Sequence, residues 1–300
     1  MASADHQSGL FCYVSTPFDK KGNVDLNTLH RYVTAMIEAG VDGITCIAST
    51  CEGPYLTAHE RQAVAAAVGN TVNGKVSLNI GIGALSTRQA IEYAKHAQDC
   101  GATSLMLEMQ QYFPISFDDA YRHFDAIANA VPVPVRLYNL VQPTRFDFTP
   151  QQIAKMSAIA AIHSVKEASG DVDRIRQIRE LCGDRFNLFC GFHYQSLDAF
   201  RLGAVGWEAM LHPLFAKPCV ELYRSLMRDP WSEQSKALFA RLEPLFEFFR
   251  SNGVIQSVKA LSDWSDLHLG RPRPPLPSLA EHQKLRLKEI VTDLATLSEA

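Results

Sequence analysis

Short apolar, β-branched runs alternate with amphipathic stretches eight times along this chain, and that alternation is what most restricts its fold. The apolar runs fall at 10–15, 43–48, 76–80, 104–108, 133–138, 162–166, 187–190 and 205–210. Helical periodicity falls between them, at 26–39, 58–72, 87–100, 117–130, 150–157, 172–181 and 194–202. Near-continuous apolar strands separated by helices belong in a parallel sheet covered on its outer face. Eight such units in about 210 residues predict a closed (β/α)8 TIM barrel rather than an open doubly wound sheet.

The punctuation agrees. Gly40, Gly101 and Gly203 each follow a helical pattern, where a C-capping glycine is favoured. Thr149 reads as an N-cap with Pro150 at the first helical position. Gly81-Ile82-Gly83 follows a strand, but no third glycine completes a dinucleotide-binding pattern, so it reads as a turn. Beyond the eighth strand, helical patterns at 213–228, 233–250, 254–262 and 280–297 exceed what the eighth barrel helix needs. The expected organisation is a catalytic barrel over 1–212 and a C-terminal helical region over 213–300. The proline-rich stretch 271–277 reads as a linker, and the added helices as oligomer contacts.

Composition narrows the partners. A net charge of −3 and a pI near 6.4 offer no electrostatic footprint for nucleic acid or an anionic membrane. No apolar stretch reaches the ~20 residues needed to span a bilayer, and the polar segment 1–9 lacks a signal-peptide pattern. The seven cysteines include no C-x-x-C pair. Reduced thiols and a cytoplasmic location are expected.

Barrel enzymes place their chemistry at the C-terminal ends of the strands. Lys166 closes the sixth strand, in Val165-Lys166-Glu167-Ala168. A lysine there either snorkels from the strand end or serves as the amine that attacks a ketone to form an imine. Tyr138 ends the fifth strand, as a rim aromatic or as a proton carrier beside that lysine. Ser49 and Thr50 follow the second strand, where hydroxyls and exposed backbone N–H groups suit a carboxylate; such loops are also common without a ligand.

Together these segments resemble the dihydrodipicolinate synthase / N-acetylneuraminate lyase superfamily. The resemblance runs from Gly9-Leu10-Phe11 and Thr16-Pro17-Phe18 to the prolines near Pro275. Lys166-Glu167-Ala168-Ser169-Gly170 matches the segment whose lysine forms the Schiff base, and Tyr138-Asn139 the segment whose tyrosine relays protons. Ala48-Ser49-Thr50-Cys51-Glu52 matches the loop whose hydroxyls bind the 2-oxo acid carboxylate. Tyr112 falls where many members carry a tyrosine that reaches into a neighbouring subunit's site. The resemblance implies a class I, lysine Schiff-base lyase acting on a small 2-oxo acid such as pyruvate. No dissociable cofactor is implied, and the expected assembly is a homo-oligomer, a dimer or tetramer. Lys166, Tyr138, Thr50 and Tyr112 are then the catalytic candidates, and Ser49, Thr50, Glu208 and Gly191 the substrate-binding ones.

The departures from the pattern shape the expected substrate. Ala48 and Cys51 replace loop glycines. Pro143 stands where dihydrodipicolinate synthases carry an arginine for a second carboxylate, and the nearest arginine is Arg145. Arg145-Phe146-Asp147-Phe148 looks like the equivalent stretch of aromatic hydratase-aldolases in the superfamily, and Cys190-Gly191-Phe192-His193 replaces a more polar loop. On these grounds the expected function is a pyruvate-type aldolase or hydratase-aldolase, with the lysine-biosynthesis synthase excluded. Phe146, Phe148 and Phe192 are expected around an apolar distal group, with negligible condensation of pyruvate with aspartate semialdehyde. A 2-oxo-3-deoxy-sugar-acid dehydratase and a catalytically silent small-acid binder are the alternatives.

Three charged residues lie inside strands. If Tyr138 faces the barrel mouth, Arg136 points inward one layer below, with Glu108 as its expected partner; a register off by one would instead turn Arg136 to the helices. Glu208 stands where the family usually has an apolar residue, either binding a substrate hydroxyl or pairing a neighbouring charge. His193 and His212 follow strands seven and eight, but two histidines are too few for a catalytic zinc site, and no metal is expected.

Overall fold

The computed structural model describes residues 8–296. The segment 1–7 and the end of the last expected helix lie outside these. Eight parallel strands close into one barrel in chain order, with β1 (Gly9–Tyr13) pairing both β2 (Gly43–Cys46) and β8 (Gly206–Met210). Between them run β3 (Ser77–Gly81), β4 (Ser104–Glu108), β5 (Val135–Asn139), β6 (Ile162–Glu167) and β7 (Asn187–Cys190). The (β/α)8 expectation therefore holds, with boundaries shifted by one or two residues.

The shifts have local causes. The second strand stops at Cys46 because Ile47 takes φ 61°, a left-handed conformation that breaks extended pairing. The first ends at Tyr13, where its register with Met210 ends. The fifth begins at Val135 because Pro134 has no N–H to offer the ladder.

Helices α1 (Leu26–Glu38), α2 (Ala58–Val72), α3 (Thr87–Asp99) and α4 (Phe117–Ala128) follow the first four strands. A four-residue helix α5 (Val141–Thr144) and α6 (Pro150–Met156) follow β5; α7 (Arg174–Cys182) and α8 (Ser196–Arg201) follow β6 and β7. Side chains of Asp25, Thr57, Ser86, Ser116 and Thr149 each accept from the first turn of their helix, as N-caps do. Helix α9 (Ala216–Arg228) closes the ring: Arg224 pairs with Asp42 at 2.6 Å, and Tyr223 packs edge-on against Phe200 of α8. The C-terminal helices α10 (Glu233–Asn252), α11 (Val254–Leu261) and α12 (Glu281–Thr296) pack on one another, and α10 also packs on the turn after β7. Among the described residues no helix is long and apolar enough to cross a membrane.

The barrel interior carries an ion pair. Arg136 is 1% exposed, its guanidinium stacked 4.5 Å from the centre of the Phe11 ring and 3.5 Å from that of Phe189. It does point inward, but its partner is Glu208, not Glu108. Glu108 lies in register with Tyr138, two residues further up β5, and so sits at the mouth; Glu208 reaches Arg136's level across the barrel. Strand tilt in a closed barrel brings side chains of non-adjacent strands into one layer, which explains the switch. Thr45, Asn79 and Ser164 complete the network with Ser104. Gly206 makes room for it, because a Cβ there would lie 2.2 Å from the Phe189 ring.

Candidate active site

A cavity of about 660 Å3 opens at the C-terminal ends of the strands, with Lys166 in its lining. Lys166 is 3% exposed. Its Nζ lies 2.8 Å from the Tyr13 hydroxyl, 4.0 Å from the centre of the Tyr13 ring and 4.1 Å from that of Tyr138. Burial pushes the ammonium down from 10.5 to about 8, with the nearby Glu208 carboxylate opposing that shift. At pH 7 roughly a tenth of such amines are neutral, against about three in ten thousand for an ordinary lysine. The strand end therefore holds a usable nucleophile.

Burial raises both tyrosines, so each is a phenol that can donate a proton. The hydrogen bond from Ser49 opposes the rise at Tyr138, whose hydroxyl lies 3.4 Å from Ser49 Oγ. Ser49 and Thr50 line the cavity from a tight turn, Ser49–Cys51, that starts where β2 stops. The turn is anchored from below: Glu52, left-handed at φ 62°, pairs with Lys259 of α11 at 2.7 Å and accepts from the Arg273 N–H at 2.7 Å. Lys259 also donates to the Thr16 and Arg271 carbonyls. On the other side Asn139 donates to Glu167 at 3.0 Å, and Glu167 accepts the Ser169 N–H at 2.6 Å, which fixes the chain around Lys166.

The fold thus brings Lys166, Tyr138, Ser49, Thr50, Gly191 and Glu208 to one cavity. Glu208 is saturated by Arg136, Thr45 and Asn79. Tyr112 is not brought to it. That side chain is 83% exposed, packed edge-on against Phe113, which is itself 75% exposed. Phe146 and Phe148 are core residues packed with one another and, through Phe148, with Phe117 and Phe124, so of the three expected aromatics only Phe192 lines the cavity. Arg145 does not line it. His193 donates from Nε2 to the Met210 carbonyl among Trp207, Phe246 and Phe249, and burial holds it down at about 4. Among the described residues no three His, Cys, Asp or Glu side chains are grouped to hold a metal ion.

Sequence reasoning missed Tyr13. It ends β1 as Lys166 nearly ends β6, but the expected strand ran on to 15, which put Tyr13 inside it and beyond the strand-end rule. It also missed the cavity wall built by Phe246, Phe249, Arg250, Val254 and Ile255 of α10 and α11. Tyr13→Phe is expected to lower the pH midpoint of imine formation by roughly half to one unit, because a hydrogen bond that favours the ammonium is lost. An unmoved or raised midpoint in a borohydride-trapping series would remove that bond from the account.

The model of the dihydrodipicolinate synthetase family matches residues 6–294. The chain belongs to this family. As a dihydrodipicolinate synthetase family member it is an enzyme of the class I aldolase type. It is 31% identical over 283 residues to 4-hydroxy-tetrahydrodipicolinate synthase of Prochlorococcus marinus, covering 93% of this chain and 92% of that one. It is 29% identical over 278 residues to the enzyme of the same name from Oceanobacillus iheyensis, covering 93% and 94%. Among solved structures, 4-hydroxy-tetrahydrodipicolinate synthase of Methylacidiphilum fumariolicum superposes with a TM-score of 0.92 at 27% identity, over 97% of both chains. Dihydrodipicolinate synthase of Acinetobacter baumannii complexed with pyruvate gives 0.91 at 27% identity, over 97% of this chain and 99% of that one.

These relatives overturn the exclusion of the lysine-biosynthesis synthase. The exclusion rested on Pro143 in place of one arginine and on an aromatic lining. Two of the three aromatics are in the core instead. A carboxylate partner is also not bound to one loop position in an open cavity: Arg250 lines this one from α10.

Proposed function

We propose that this chain joins pyruvate to an aldehyde through a Schiff base on Lys166, in the manner of 4-hydroxy-tetrahydrodipicolinate synthase. The observation that carries the reading is the Lys166 amine, lowered to about 8 and held between two tyrosines on the cavity wall. Neutral Nζ attacks C2 of pyruvate while Ser49, Thr50 and their backbone N–H groups receive the carboxylate. Tyr13 and Tyr138 protonate the departing hydroxyl, and water leaves. The resulting iminium withdraws electrons from C3, whose proton passes to the Tyr138 phenoxide left by that step, giving an enamine and restoring the phenol. The enamine carbon attacks the aldehyde carbonyl, whose oxygen takes a proton from Tyr138. Water then adds to the iminium and frees Lys166, unless a nucleophile of the product displaces it first.

Glu208 has the role of a fixed charge beneath the lysine in this scheme, and Gly191 that of a backbone wall beside the substrate. Tyr112, exposed in the single chain, serves the site of a second copy, so the working unit is a homo-oligomer. A coupled assay with pyruvate and aspartate semialdehyde tests the reading. Saturable consumption of both is expected. A protein that traps pyruvate under borohydride but consumes no aldehyde would refute the condensation step while leaving the imine intact.

A further inference from the structure

Glu108 has no part in that chemistry, yet it is 4% exposed and lines the same cavity. Its Oε1 accepts from Gln110 Nε2 at 2.7 Å, while its buried Oε2 has no hydrogen-bond partner among the described residues. A buried carboxylate oxygen left without a donor is costly, so its retention calls for an occupant. The position is also built for it. Gly83 leaves the space that Glu108 fills, since a Cβ there would stand 2.4 Å from Oε1 and 2.8 Å from Gln110 Nε2. Arg61, which interacts with Glu108 electrostatically, directs its guanidinium to the Gly53 and Gly81 carbonyls and does not close the gap.

Position says which molecule meets this oxygen. In register, Glu108 of β4 lies beside Tyr138 of β5, and Tyr138 beside Lys166 of β6. Adjacent strands are about 4.8 Å apart, so Glu108 stands roughly 10 Å from Lys166, backbone to backbone. That is beyond a three-carbon acid bound to Lys166 and gripped by Ser49 and Thr50, and within reach of a short molecule that meets its enamine. We infer that Glu108 is a specificity-determining residue that selects an aldehyde carrying an ammonium or hydroxyl donor beyond its carbonyl carbon. The inference rests on the condensation reading and adds the residue that tells one second substrate from another.

The test compares three four-carbon aldehydes that differ at one carbon: aspartate semialdehyde with an ammonium, its hydroxyl analogue, and succinic semialdehyde with neither. Glu108→Gln should lower kcat/KM for whichever donor-bearing aldehyde the wild type prefers by roughly 10- to 100-fold, mainly through KM. Its loss on succinic semialdehyde should stay within about twofold, about 0.4 kcal/mol. Gly83→Ala, which displaces the carboxylate without altering it, should reproduce the loss of preference. Pyruvate trapping on Lys166, run in parallel, separates this inference from the mechanism: failure to trap refutes the Schiff base. Equal losses on all three aldehydes, no loss on a donor-bearing one, or no turnover of any donor-bearing aldehyde by protein that traps pyruvate overturns the assignment to Glu108. The amine and hydroxyl arms identify which donor it takes.

Discussion

Lys166→Ala protein treated with pyruvate and borohydride should gain no mass, while the wild type gains one reduced adduct per chain, located on Lys166. Turnover should fall by about 10³-fold or more, the scale on which loss of a nucleophile is felt. The expectation follows from what surrounds the amine. The cavity lining offers one other cation, Arg250, and a guanidinium does not form imines at neutral pH. Lys259 is as deeply buried, but it is held by Glu52 and two carbonyls below the Ser49 loop and does not line the cavity. Folding should survive, because the substitution removes a buried cation whose charged form burial already disfavours. In the wild type the trapping rate should rise with pH and level off above about 8, following the neutral amine. An alanine variant that still labels, or that keeps most of its turnover, would end the Lys166 mechanism.

Glu208→Gln should be the most damaging polar substitution inside the barrel. It leaves the Arg136 guanidinium charged between two phenylalanine rings with no anion in contact. Breaking such a pair costs about 3–5 kcal/mol. For a chain of this size that is a fall in Tm on the order of 10 °C. The same variant should lower the pH midpoint of trapping below about 8, because the Glu208 carboxylate supports the Lys166 ammonium and its removal leaves burial less opposed. Adding Arg136→Met to the Glu208→Gln variant should restore much of the stability, since an apolar pair needs no counter-charge. The midpoint should stay low, because the carboxylate is still missing. Calorimetry and the trapping series measure the two effects separately. A variant with wild-type Tm and midpoint would show that the ion pair bears on neither.

Local pattern was enough for the barrel, and it named candidates for the site. Alternating runs, capping residues and strand length are decided within a dozen residues of chain, so eight strands and their helices were legible. Lys166, Tyr138 and the Ser49-Thr50 loop stood out as candidates, but local pattern left each an ordinary reading; the family resemblance singled them out, and the barrel brings them to one cavity. Tyr13 did not stand out: a tyrosine in Gly9–Tyr13 looks like ordinary core until barrel closure sets it 2.8 Å from a lysine 153 residues away. The partner of Arg136 was misassigned for the same reason, since tilt and closure, not strand order, decide which layer meets which. Phe146 and Phe148 looked like pocket residues by position and proved to be packing for α4, because the turn at Arg145 directs them inward. Excluding a substrate from one missing arginine failed on similar grounds: a cavity is walled by every element that reaches it, here including helices α10 and α11 from the far end of the chain. Residue order alone marked which side chains were out of place for a plain strand. Which of them meet was left to the folded barrel, because meeting depends on closure of the sheet and on contact between residues 72 to 153 positions apart in the chain.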